Sequence, residues 1–89
     1  MVLVDTDVQA VVLLPQAGSD SKGRKIGLID SVAKATQNDT VTVLNAVNVQ
    51  VLSCIDDTTG AFETHTVSGN VITLTSATTG AKTIQILYY

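Results

Sequence analysis

The chain has no tryptophan, one cysteine, one histidine, one proline and few charges. Each shortage removes a class of answer. With Cys54 alone, no disulfide forms within the chain, and one cysteine plus one histidine cannot complete a zinc site. Aromatic surface is limited to Phe62, Tyr88 and Tyr89, a poor supply for a sugar- or receptor-binding patch. No apolar run approaches the length needed to cross a bilayer. The start, Met1-Val-Leu-Val-Asp5-Thr-Asp7, lacks a basic segment and meets carboxylates early, so it does not read as a signal peptide. The expectation is a soluble chain made in the cytoplasm.

Charge is the shortage with the widest consequences. Charged residues make up 15% of the sequence, against about 25% in an ordinary soluble domain. The net charge is −3, and Lys22, Arg24 and Lys25 form the one basic cluster, with Lys34 and Lys82 apart. That is too little to neutralise many phosphates, which excludes nucleic acid as a partner. Residues 41–55 carry no charge, and residues 64–81 carry only the titratable His65. The polar residues there are Thr, Ser, Asn and Gln, so a solvent-facing side is neutral. Free monomers stay soluble through mixed charge, whereas interface cores are depleted in it. The pattern points to a subunit of an assembly; a monomeric Thr-rich β-domain is the alternative.

What is present reads as strands. The 89 residues make one domain, 1–89, which buries only about 60–65% of the surface its unfolded chain exposes. Small domains of this kind need a staple or partner subunits. Residues 62–67 and 71–75 are rich in β-branched side chains and flank Ser68-Gly69-Asn70, the signature of a β-hairpin. With a three-residue loop, Phe62, Thr64, Thr66, Ile72 and Leu74 share a face; with two residues the cross-strand partners slide by one. On either count Phe62, Ile72 and Leu74 are the expected core. Val47, Val49 and Val51 alternate with Asn48 and Gln50. The alternation fails at Leu52-Ser53-Cys54-Ile55, where both faces are apolar or a bulge resets the register.

Further strands are expected at 2–4 (an edge), 8–14, 24–30, 40–43 and 83–89. Thr6 or Asp7 could instead cap a short helix stopped by Pro15. Residues 31–39 stay open between one helical turn and an extended connection ending at the Asn38-Asp39 turn. Thr58-Thr59-Gly60-Ala61 recurs as Thr78-Thr79-Gly80-Ala81, a reused corner rather than a true repeat. About seven short strands with frequent turns imply an all-β fold, a small antiparallel β-sandwich or barrel.

Candidate chemistry is thin. Gly18 and Gly23 frame a loop of phosphate-binding length, but Arg24-Lys25 replaces the required Lys-Ser/Thr pair and a strand follows instead of a helix. Cys54 and His65 are the nucleophile and base types, yet both fall on strands with no orienting group. Asp56, Asp57 and Glu63 surround a turn, but calcium needs six to eight oxygen ligands and the spacing fits no known loop. Asn38-Asp39-Thr40 is a sequon without a secretory signal. Tyr88 and Tyr89 are the interaction candidates, since tyrosine is enriched at protein interfaces; alternatively their strand pairs in the sheet and one Tyr caps the core. No catalytic, metal or cofactor-binding residue is assigned.

The C-terminal half, from Asp56-Asp-Thr-Thr-Gly60 through Val71-Ile-Thr-Leu-Thr75 to Ile84-Gln-Ile-Leu-Tyr-Tyr89, resembles the small structural proteins of tailed-bacteriophage virions. In style it looks like the decoration, or cement, proteins of phage heads. The Asp5-Thr-Asp-Val-Gln-Ala10 and Asn38-Asp-Thr-Val-Thr-Val43 segments fit that style. The likeness is one of texture without a diagnostic motif. It implies a non-enzymatic subunit that binds and braces a head shell. Its partners would be copies of itself or the major capsid protein, and its place the outer head surface. The competing expectation is a carbohydrate- or receptor-binding β-sandwich of a spike or fibre.

Overall fold

Alternation of Val, Ile and Leu with Thr, Ser and Gln builds strands and little else here. The computed structural model describes residues 2–6, 10–13 and 24–89, with the side chains of 24–30 and 32–89. Its strands are β1 (Val2–Thr6), β2 (Ala10–Leu13), β3 (Lys25–Lys34), β4 (Asp39–Val43), β5 (Val49–Asp56), β6 (His65–Ser68), β7 (Val71–Leu74) and β8 (Gly80–Tyr88). They form two four-stranded sheets, ordered β1-β4-β7-β6 and β2-β3-β8-β5, which bury their inner faces against each other as a sandwich does. The all-β expectation holds, with eight strands among the described residues instead of about seven. Every pairing is antiparallel except that of β1 with β4, which is parallel.

The core follows from period-two alternation. Val41 and Val43 of β4, Ile72 and Leu74 of β7, and Ile84 and Ile86 of β8 are fully buried, each contributing about 2 kcal/mol of burial. In β5 a bulge between Val51 and Ser53 resets the register, so Val51 and Cys54 share the inner side although two residues, not one, lie between them. A second irregularity, between Ile29 and Val32, shifts the phase of β3. Residues 31–39 are extended and then turn: β3 runs through Lys34, and Asn38 takes the left-handed region at φ 68°. Asp39 closes that turn, accepting from the Ala35 and Thr36 amides at 2.9 and 3.0 Å and from the Thr36 hydroxyl at 2.7 Å.

The hairpin of β6 and β7 pairs Ser68 with Val71, so its loop is the two residues Gly69-Asn70. Gly69 has φ 59° while Asn70 stays out of the left-handed region, the type II′ pattern that matches strand twist. Here one expectation needs correcting. Ile72 and Leu74 are buried, but Phe62 is 81% exposed. The strand partner of β7 begins only at His65, and Phe62 instead bridges to Ile55 at the edge of the other sheet. The two-residue loop sets His65 and Val67 opposite Leu74 and Ile72 and turns Thr66 outward with Thr73, so the face expected to join Phe62, Thr64 and Thr66 to Ile72 and Leu74 does not form; the chain then changes sheets before reaching Phe62. The Gly18–Gly23 loop and Pro15 lie outside the described residues.

Candidate functional site

The most unusual chemistry sits inside the sandwich, on residues whose positions follow from alternation. Inward positions of β8 are Lys82, Ile84, Ile86 and Tyr88; all four are buried. β5 ends on inward Asp56, opposite Lys82 in the antiparallel register. The segment after the Gly60 corner lies along β5, with the Asp56 amide donating to the Ala61 carbonyl at 2.8 Å and the Glu63 amide to the Cys54 carbonyl at 2.7 Å. In an extended segment, the phase that puts Phe62 outside puts Glu63 inside. Lys34 enters from β3 after its irregularity.

Four charges therefore meet out of water. Lys34 Nζ lies 2.7 Å from Glu63 Oε1, Lys82 Nζ 3.1 Å from Asp56 Oδ1 and 3.4 Å from Glu63 Oε2. Ser76 completes the shell: its hydroxyl donates to Glu63 at 2.7 Å, and its carbonyl accepts from Lys34 Nζ. Thr59 donates to the far oxygen of Asp56 at 2.8 Å. Among the described residues no buried side-chain nitrogen or oxygen lacks a partner, which is the condition for such a cluster to be tolerated. Burial pushes the Glu63 carboxyl upward, but hydrogen bonds from Lys34 and Ser76 and the charges of both lysines outweigh it and hold the group below its ordinary value. The hydrogen bond from Thr59, followed by that from Lys82, holds Asp56 low as well.

The cluster takes in two of the sequence candidates, Asp56 and Glu63. Asp56 and Glu63 face lysines, whereas Asp57 points outward with Oδ1 2.6 Å from the Thr83 hydroxyl; the three are not gathered on one cation. Among the described residues no group of His, Cys, Asp and Glu has the arrangement of a metal site. Cys54 is buried, and burial followed by the Glu63 charge pushes its thiol up to about 11, so it is not a thiolate at neutral pH. His65 is exposed on the other sheet, so the two do not form a nucleophile and base. Sequence reasoning missed Lys34 and Lys82. Lys82 was in reach, two residues before Ile84 in the same alternation.

The two terminal tyrosines part company. Tyr88 is 2% exposed, in the core-capping position, with the Lys25 ammonium 5.5 Å from its ring centroid. Tyr89 is partly exposed, its hydroxyl accepting from Asn48 at 3.1 Å and its ring 5.4 Å from the Arg24 guanidinium carbon. An open cleft of about 220 Å³ lies there, lined by Arg24, Asn48, Val49, Gln50, Leu87 and Tyr89.

With five charges inside, the outer positions of β4, β6 and β7 carry no Asp, Glu, Lys or Arg, while the second sheet exposes Asp30 and Asp57, whose Oδ1 atoms lie 3.2 and 2.6 Å from the Thr83 hydroxyl. Between residues 35 and 89 the acidic and basic side chains are Asp39, Asp56, Asp57, Glu63 and Lys82, and of these only Asp57 is exposed. On the first sheet the outer positions of β4, β7 and β6 hold Thr40, Thr42, Val71, Thr73, Thr66 and Ser68. On the second, the outward row of Leu28 and Gln85 meets the β5 bulge at Leu52, and Phe62 joins through its bridge to Ile55. Leu28, Leu52 and Phe62 are 47%, 46% and 81% exposed. No protein-family model, curated protein or solved structure matches the chain.

Proposed function

We propose that this protein is a non-enzymatic structural subunit whose outer β3-β8-β5 face is covered by other protein. The setting is that of the tailed-phage decoration proteins its C-terminal half resembles, bracing a head shell at its outer surface. The observation carrying the proposal is the placement of charge: Lys34, Asp39, Asp56, Glu63 and Lys82 are buried, which leaves Asp30 and Asp57 as the exposed carboxylates of a face that also exposes Leu28, Leu52 and Phe62. A face with large exposed apolar side chains and few ions approaches the charge-poor composition of an interface core, and exposed apolar patches mark contact sites. The partners are further copies of the chain and shell subunits.

A second reading, a carbohydrate- or receptor-binding module, draws on the cleft at Arg24, Asn48 and Tyr89. Its volume of about 220 Å³ falls below the roughly 300–1,000 Å³ of ordinary ligand sites, and only one aromatic ring lines it. The structural reading is the stronger. Sedimentation velocity at high micromolar concentration tests it, alongside binding to a capsid shell. The expected result is an associated species or shell binding that Leu52→Asp with Phe62→Asp abolishes. A clean monomer indifferent to the shell contradicts the proposal, and selective binding on a glycan array favours the second reading.

A further inference from the structure

A small domain without a disulfide needs another staple, and the buried cluster holds the groups that make one. We propose that Lys82 and Asp56 condense within the folded chain into an isopeptide bond, with Glu63 relaying the protons, so that β5 and β8 become covalently joined.

The geometry supplies each requirement. Lys82 Nζ is 3.1 Å from Asp56 Oδ1, and the two residues are register partners on adjacent strands. Nucleophile and electrophile are thus held together by the fold itself, the condition under which effective concentration becomes very large. Glu63 Oε2 stands 3.4 Å from the same nitrogen, placed to take a proton from the ammonium. The side chains of Lys82, Asp56 and Glu63 are 0%, 7% and 2% exposed. Water is largely excluded, so hydrolysis of the product is disfavoured. Two buried charges also carry a desolvation cost, which a neutral amide removes.

The atoms balance. The Lys82 ammonium gives one proton to Glu63, and the free amine attacks Cγ of Asp56. Glu63 passes that proton to a departing Asp56 oxygen, and a second proton from nitrogen follows it. One N–C bond forms, one C–O bond breaks, one water leaves, and the positive and negative charges cancel. No oxidant or cofactor is required. Lys34 is not the nucleophile: its ammonium is held by Glu63 and by the carbonyl and hydroxyl of Ser76, whereas Lys82, besides the Thr79 carbonyl at 3.3 Å, contacts the Asp56 carboxylate. Its charge on Oε1 leaves Oε2 as the side of Glu63 facing Lys82. The inference stands whether or not the chain belongs to a shell.

Intact-mass spectrometry of the purified full chain, denatured just before measurement, tests it. The expected mass is that of the sequence less one water, with a branched peptide joining residues 56 and 82 after proteolysis. Lys82→Arg and Glu63→Gln restore the full mass. Asp56→Asn keeps the electrophile but changes the leaving group, so that variant loses ammonia instead of water. A wild-type chain that is folded by circular dichroism yet has its full sequence mass overturns the proposal. So does a water loss without the 56–82 branch. Because the wild-type mass decides alone, variants that fail to fold do not rescue it.

Discussion

Phe62 and Glu63 are neighbours in the chain with opposite fates, and the contrast shows what single residues contribute. Glu63 is 4% exposed and answers two lysines, whereas Phe62 stands in water. Glu63→Gln leaves Lys34 and Lys82 buried with one carboxylate between them, a loss of about 3 kcal/mol by the usual cost of breaking a buried pair. Phe62→Ser changes stability by less than about 0.5 kcal/mol, as exposed substitutions do. Urea denaturation of both variants checks the pair. The same residues set the response to acid. Asp39, through the Thr36 hydrogen bonds, and Glu63, where the lysine and Ser76 contacts outweigh burial, have folded values below their ordinary ones. Their stabilisation is complete above about pH 5 and drains away as pH falls through the folded values. Tyr88 and Cys54 are raised by burial, so the unfolded chain loses those protons first. Stability then falls as pH rises above the unfolded values, near 9 for the thiol. The urea midpoint should be flat between these limits and decline on both sides.

At the scale of elements, the hairpin of β6 and β7 and the corners at Gly60 and Gly80 hold the sandwich in register. Gly69 takes φ 59° at the tip, and a Cβ there would meet only the Val47 carbonyl at 3.8 Å. Gly69→Ala thus costs about 1 kcal/mol through backbone conformation alone, read as a lowered urea midpoint without a change in slope. Much of this level was legible in the sequence. β-Branched runs announced the hairpin, the failed alternation at Leu52 left open two apolar faces or a bulge, of which the structure has the bulge, and the repeated Thr-Thr-Gly-Ala marked two corners whose glycines both have positive φ. The facing of β6 was missed because a loop of two residues, not three, turns Thr66 outward and sets Val67 opposite Ile72. Alternation fixes facing only while a strand continues, and between Phe62 and His65 the chain leaves one sheet for the other. Lys34 was hidden for the same kind of reason, since the irregularity between Ile29 and Val32 shifts its phase without a signal in composition. The parallel pairing of β1 with β4 depends on contacts far apart in sequence, which periodicity does not encode.

For the molecule as a whole, scarcity of charge proves to be greater at the surface than in the composition. Five of the charged residues are buried, so the sheet faces are more neutral than a count of Asp, Glu, Lys and Arg conveys. The molecule measures 41 × 23 × 18 Å, an elongated shape in which those faces make up much of the exterior. On this account the buried Lys34, Asp56, Glu63 and Lys82 side chains hold the strands together and an exterior poor in charge meets other protein. Hydroxyl-radical footprinting at low and high micromolar concentration, with second copies as the available partner, tests that division most directly. The account predicts that Leu28, Leu52 and Phe62 become shielded at the higher concentration while Leu44 and Val47, in the turn between β4 and β5, stay reactive. Equal labelling of all five at both concentrations, or shielding confined to Leu44 and Val47, would contradict it.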